Sequence, residues 1–489
     1  MKYKQGILLS SKQPSGLWFI CASILFITFG LTSVLTLFGG YGAQVLGFEE
    51  NYATALSIGS YLFLMNFTAV AGGMIGRKYG HKRVVSLGGL YAAFGLWMIS
   101  INNLALMGLA AFAVGAGLII PNIYASLSRL YSTDDPRRNA GFTLLFMTGN
   151  FGIFLNSVIA AYLAKYIGYD HAFLISAVFT VIGTIIFVRF DKDIAKQSLT
   201  TPKTDTANST SSDATLAIIG LMVIITGFTR YLLDNLLLNM MVMISFCLIS
   251  IIYIVYLALK HKGVSRHRLL GLLFLIIICI SFWFAERLSS VVFIEYSGML
   301  THGKIFGWTQ APEDIVNLIN TLVIAVVAII FALYWTSKKK GQFFLTLPAL
   351  IAIALLLSSA AFVLLWLGEK AGDAQHFMDA STYLIASVFL MAIAKTIAIP
   401  LYYGMVGKLA PREYESTLIG IMQLFIGFSG IVAIALTHNA FPHDIIIQST
   451  EYNTISVVTT GLIGILIILA LFSFLISKKW RRTLIDEKS

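Results

Sequence analysis

LWFICASILFITFGLTSVLTLF, residues 17–38, decides the fold class. No charge interrupts it and no alternation of apolar and polar residues marks it as a strand. It is long enough to cross the hydrocarbon layer of a bilayer as one helix, which takes about 20 residues. Backbone polar groups find no water there, so a chain must span as helices or as a closed barrel, and unalternated runs of this length are the helical case. The segment ahead of it is short and basic (Lys2, Lys4, Lys12) and no small-residue cleavage site follows. The run therefore reads as a first span and not as a removed signal.

The rest of the 489 residues repeats the pattern. Hydrophobic residues make up 58% of the chain and charged residues 12%, a balance that excludes a soluble globular protein. Further apolar runs lie near 53–75, 84–100, 104–130, 140–164 and 170–188. After the polar stretch from Asp191 to Asp213, which contains Pro202 and reads as a flexible linker, come runs near 214–232, 235–259, 269–294, 313–337, 343–367, 379–406, 415–437 and 454–477. The expected total is fourteen spans.

Lys and Arg set the orientation. With the N-terminus inside, one side collects Arg77, Lys78, Lys82, Arg83, Arg137, Arg138, Lys192 and Lys196. The same side holds Lys260, Lys262, Arg266, Arg268, Lys338 to Lys340, Lys408, Arg412 and the basic tail from Lys478 to Arg482. The opposite loops hold Lys165, Arg230, Lys304 and Lys370. Both termini are expected in the cytoplasm of a bacterial-type inner (plasma) membrane. The net charge of +11 is thereby a topology signal and calls for no nucleic-acid partner. Cys21, Cys247 and Cys279 sit inside apolar runs and read as small buried hydrophobes, without disulfide or metal spacing.

The order is six spans over 1–190, a linker over 191–213, a two-helix hairpin over 214–262, and six more spans with a tail over 263–489. Two six-helix halves around a midplane site are the arrangement of major-facilitator transporters, so an all-α major-facilitator fold with an extra helical pair is expected.

Several stretches narrow this. GGMIGRKYGHKR at 72–83 looks like a glycine-rich basic loop after a second span, and PNIYASLSRLYSTDDPRRNAGF at 121–142 is followed by Asn150 and Gly152. FWFAERLSS lies at 282–290, PEDIVNLIN at 312–320, AKTIAIP at 394–400 and KLAP at 408–411. On these residues the chain resembles the proton-dependent oligopeptide transporter (POT) family, over nearly its whole length. The resemblance implies proton-coupled di- and tripeptide symport by alternating access around a midplane cavity, with no cofactor, in a monomer. Its departures matter equally. The family's first-span ExxER motif aligns with Ile24, Ile27 and Thr28, its first-span tyrosines with Leu31 and Thr32, and its second-span tyrosine with Asn66. Its fourth-span lysine aligns with Ile120, its tenth-span glutamate with Lys395 and its eleventh-span tryptophan with Met422.

An ionisable residue inside a span costs about 2.5–3.5 kcal/mol on insertion scales and marks a functional site by default. Glu286, Arg287 and Lys395 are such residues. Glu286 is the candidate proton-coupling group, and a structural partner for Lys395 is its alternative role. Lys395 reads as the residue that receives a substrate carboxylate, against a charge locked on Glu286. Counting residues puts the two at depths differing by roughly 6–10 Å, which leaves a direct ion pair open. Arg287, about 100° around the helix from Glu286, is expected off the same cavity wall, as an interfacial anchor or packing partner. Asn150 and Asn320 supply donors and acceptors suited to a polar backbone, or else interhelical hydrogen bonds, and Asn66 joins them by alignment.

In the resembled family, cations of the N-terminal half hold a peptide's carboxylate and the tenth-span glutamate reads its amine. Here those cations are missing and the amine reader has become a cation. A substrate bound in reverse, or a carboxylate-bearing metabolite instead of a free peptide, fits this set. No histidine cluster, nucleophile–base arrangement or P-loop is present, which excludes an enzyme and ATP-driven transport. The expected function is secondary active transport in the bilayer. Its alternatives are a uniporter or exporter of a carboxylate-bearing metabolite, and a non-transporting sensor on the same fold.

Overall fold

The computed structural model describes residues 13–132, 135, 137–197, 212–300, 312–337, 347–373, 380–440 and 463–473. Among them every regular element is a helix. The first span is α1 (Ser15–Gln44). The second run divides into α2 (Glu50–Ile58), a π-helical segment (Gly59–Leu64) and α3 (Met65–Tyr79). Then follow α4 (His81–Ile99), α5 (Ala105–Arg129), α6 (Arg137–Ile167) and α7 (Tyr169–Gln197). The next pair is α8 (Ser212–Leu233) and α9 (Leu236–Lys260). The remaining helices are α10 (Val264–Leu300), α11 (Pro312–Ser337), α12 (Leu347–Asp373), α13 (Ala380–Leu409), α14 (Glu415–Ala440) and α15 (Ile463–Ser473). Eleven described helices are long and apolar enough to cross a membrane. The split second run, α4 and α15 are not among them. Helix α7 continues through Gln197, into the stretch expected as linker; 198–211, the core of that stretch, lies outside the described residues.

The chain packs as two compact units. The first comprises 1–272, 332–340 and 403–428, the second 273–331, 341–402 and 429–489. In the first unit, α1 packs on α6 and α7, and α4 on α5 and α7. Without a hydrophobic drive between helices in lipid, close approach and hydrogen bonds must hold such pairs. The α4–α5 seam shows both the means and the constraint. A methyl group at Gly95 would strike the backbone nitrogen of Phe112, and one at Gly115 that of Ala92. Asn156 of α6, fully buried, donates to the Phe29 carbonyl at 2.7 Å and accepts from Thr36 at 2.9 Å, fixing α6 to α1.

The extra helical pair belongs to this unit. Ile218 and Met222 of α8 enter a core with Ile75, Val84, Val114 and Leu118, and Tyr91 shares a 2.8 Å hydroxyl hydrogen bond with Thr226. Phe246 of α9 meets Phe67 edge-on at 4.6 Å. Ile224 and Ile252 on these helices stay exposed and apolar, as a lipid-facing side should be.

The end of α13 and the start of α14 also pack in the first unit. Tyr403 stacks on Tyr124 at 4.0 Å, Ser416 donates to the Gly73 carbonyl at 2.8 Å, and the Arg77 guanidinium lies 3.8 Å from the Tyr414 ring centre. Arg138 is 2% exposed and lies 3.5 Å from the carboxylate of Glu415, itself 6% exposed; its guanidinium donates to Ser128 at 2.6 Å. Arg138, counted above as a loop cation, is thus a buried ion-pair partner, because the first turn of α6 lies against the first turn of α14.

In the second unit, Ser387 of α13 donates to the Ala361 carbonyl of α12 at 2.7 Å. Phe274 of α10 meets Phe472 of α15 edge-on at 5.3 Å, and Phe282 of α10 meets Tyr402 of α13 edge-on at 5.8 Å. This α10–α13 seam carries the charged residues.

Candidate functional site

Glu286 stands on α10, where Ser289 and Ser290 donate back to its own carbonyl at 2.8 and 2.9 Å. Such back-bonding by hydroxyls satisfies them without leaving the helix. Ser290 also reaches Oε1 of Glu286 at 3.4 Å. Lys395 stands on α13, five positions before Pro400, which is inside that helix. The proline lacks an N–H, so the carbonyl of Thr396, next to Lys395, loses its intrahelical donor.

Nζ of Lys395 lies 2.9 Å from Oε1 of Glu286 and donates to Oδ1 of Asn320 on α11 at 3.4 Å. Glu286 is 6% exposed and Lys395 8%. The direct ion pair left open by the sequence is present, and three helices meet in one polar cluster. A buried pair of this kind is costly to break, about 3–5 kcal/mol when one partner is removed.

Arg287 departs from its expectation. Its Nε lies 3.4 Å from Oε2 of Glu286 and its guanidinium sits 5.3 Å from the centre of the Trp283 ring. The 100° offset holds for the Cβ directions, but the flexible arginine stem folds back along the helix and brings the headgroup to the carboxylate.

The remaining candidates lie in the first unit. Nδ2 of Asn150 donates to the Phe146 carbonyl on its own helix at 2.9 Å. Asn66, the second residue of α3, is buried. Asn122, the second residue of the stretch quoted at 121–142, ties three helices. It donates to the carbonyls of Gly72 at 2.9 Å and Leu118 at 2.7 Å, and its Oδ1 lies 2.6 Å from Nδ1 of His81. His81 precedes the apolar run at 84–100, and burial, aided by the charge of Arg129, lowers its pKa to about 3.

The positions of the absent first-span motif are closed by packing. Ile24 and Ile27 are buried, and Thr28 donates to carbonyls of its own helix and to Gly149 of α6 at 3.1 Å. A methyl group at Gly152 would strike the Thr28 hydroxyl. No group of three or more metal-ligating side chains occurs among the described residues.

The chain as a whole is similar to known permeases and transporters. A dipeptide and tripeptide permease A of Erwinia pyrifoliae is 26% identical over 472 residues, covering 94% of each chain. That of Escherichia coli strain K12 is 28% identical over 416 residues, covering 84% of this chain and 81% of the relative. Among solved structures, a peptide transporter POT in complex with sulfate has a TM-score of 0.70 at 21% identity, with 96% of each chain covered. A POT family transporter in complex with 5-aminolevulinic acid has a TM-score of 0.70 at 20% identity, covering 96% of this chain and 97% of the other. The fold is that of integral-membrane transporters of the major-facilitator class. Residues 82–450 match the POT family, and the chain belongs to it.

Proposed function

We propose that this chain is a proton-coupled secondary transporter, working by alternating access, whose substrate is a small peptide or a carboxylate-bearing metabolite. The observation that carries the reading is the 2.9 Å contact between Glu286 and Lys395. While Glu286 is ionised, it occupies the ammonium of Lys395. A proton delivered to Glu286 removes that charge and frees Lys395, which with Asn320 then accepts the substrate carboxylate. Departure of the carboxylate leaves Lys395 without a partner, and Glu286 gives up its proton to re-form the pair. Proton and substrate anion therefore each favour the other's binding. The closure of the Ile24–Thr28 stretch by packing supports placing this exchange in the second unit alone. The relatives' names as dipeptide and tripeptide permeases support the peptide arm, and the cationic Lys395 supports the carboxylate arm. The distribution of Lys and Arg supports an inner membrane location with both termini in the cytoplasm.

Purified protein in proteoliposomes, with an imposed inward proton gradient and a panel of dipeptides and carboxylates, tests the exchange. Wild-type protein accumulates substrate. Glu286→Gln abolishes gradient-driven accumulation while keeping substrate exchange at zero gradient. Lys395→Gln loses both. If Glu286→Gln accumulates substrate as the wild type does, the exchange is refuted, and a uniporter with a structural ion pair takes its place.

A further inference from the structure

Glu286, Arg287 and Lys395 are the charged residues among the described side chains of the second unit, so one carboxylate stands against two cations. The carboxylate is divided unequally. Its Oε1 is engaged by Lys395 at 2.9 Å and by the Ser290 hydroxyl. Its Oε2 lies 3.4 Å from Nε of Arg287, within ion-pair range but off hydrogen-bond geometry. Both atoms are buried without a hydrogen bond among the described residues, and so is the indole N–H of Trp283. Trp283 is one turn before Arg287 and lies under its guanidinium, 5.3 Å from ring centre to Cζ. A guanidinium on an aromatic face is held in place while its N–H fork stays available. Buried donors left without acceptors raise the free energy of the empty protein, and an arriving anion satisfies them.

We infer that Arg287, steadied by Trp283, is a second anion-binding residue, and that the substrate carries two carboxylates, one for Lys395 and one for Arg287. This rests on the exchange at Glu286 proposed above: once that group takes a proton, two cations face the substrate and two carboxylates match them. A dipeptide with an acidic side chain and a small free dicarboxylate share this chemistry. A peptide with a basic side chain meets like charge and is rejected.

Binding to the purified full chain in detergent, by isothermal titration at pH 5.5, tests the inference with Ala-Glu, Ala-Gln, Ala-Lys and glutarate. Wild-type protein is expected to bind Ala-Glu at least about tenfold more tightly than its neutral near-isostere Ala-Gln, with Ala-Lys weaker still. Glutarate binding like Ala-Glu makes the free dicarboxylate a ligand; binding by Ala-Glu alone makes the peptide backbone part of recognition. Either result supports two anion positions. In Arg287→Gln the acidic preference collapses, the ratio of Ala-Glu to Ala-Gln affinity falling to within about twofold of one. Equal affinity of the wild type for Ala-Glu and Ala-Gln overturns the inference, and that comparison stands even if Arg287→Gln does not fold. So does an Arg287→Gln variant that weakens both ligands equally. A failure of proton coupling is read separately, in the gradient response of Glu286→Gln.

Discussion

Replacing Arg138 with methionine removes a guanidinium that is 2% exposed and leaves Glu415, 3.5 Å away and 6% exposed, without its cation. Methionine keeps much of the length and apolar stem, so the change is one of charge more than of volume. At 3.5 Å the attraction is about 5 kcal/mol for an effective dielectric of about 20, before desolvation is set against it. Removing one partner of a buried pair costs about 3–5 kcal/mol, because the survivor is a buried unpaired charge, whereas replacing both with apolar groups is near neutral. The expected losses are therefore about 3 kcal/mol for Arg138→Met and a similar amount for Glu415→Met. The double variant should lose no more than either single, a coupling of about 3 kcal/mol. Reversible unfolding of the purified protein in mixed micelles, titrated with a denaturing detergent, measures the cycle. Arg137 is the internal control: it pairs with the nearby Asp135, its side chain is 27% exposed, and Arg137→Met should cost no more than about 1 kcal/mol. Additive losses in the double variant, or equal losses at Arg137 and Arg138, refute the assignment of a coupled buried pair.

Two further predictions concern buried polar groups. His81 has a pKa of about 3 in the folded chain against about 6.5 unfolded, so below pH 6.5 the unfolded chain takes up a proton that the folded one refuses. Stability contributed by this site is complete above about pH 6.5 and falls toward pH 3, by about 2 kcal/mol at pH 5; unfolding measured from pH 8 to 5 should show that slope, and His81→Gln should lack it. The Tyr402 hydroxyl is buried with no hydrogen-bond partner among the described residues, so Tyr402→Phe should stabilise the protein by about 1–2 kcal/mol. A lower thermal midpoint for that variant would show that the hydroxyl is satisfied.

The spans were legible because a single physical demand, internal satisfaction of backbone groups in lipid, writes itself as run length. The same rule hides what happens inside a run. Nothing in the composition of residues 53–75 marks the π-helical turn at Gly59–Leu64, since a single wide turn leaves the apolar content unchanged. Charge bias located Arg138 on the basic side but gave it no partner, since Glu415 lies far along the chain and meets it only through packing. Asn122 was visible within the stretch quoted at 121–142, but its three contacts exist only once α3, α4 and α5 are assembled. At the site, the residue types Glu286, Lys395 and Asn320 were readable as rare polar groups in spans. Their convergence was not, since helix rise places Cα atoms and leaves out several ångströms of side-chain reach.

That reach is what the proposed exchange uses to couple two ligands in a chain that lacks the first-span motif. Coupling between a proton and a substrate is reciprocal: if protonation of Glu286 raises substrate affinity by some factor, bound substrate raises proton affinity by the same factor. What the device needs is one group that cannot satisfy two partners at once. Lys395 meets that need, because its ammonium sits 2.9 Å from Glu286 and an incoming carboxylate must compete for the same charge. Arg287 alters the balance without joining the competition directly, since it approaches the other carboxylate oxygen off hydrogen-bond geometry. Among the described side chains of the second unit, two cations around one carboxylate leave one surplus positive charge, which an anionic substrate neutralises and a neutral one does not. Under the proposed exchange, substrate selection and proton coupling rest on the same three side chains. A substitution that changes the count of charges should alter both, whereas one that only changes shape, such as Asn320→Ala, should alter affinity more than coupling.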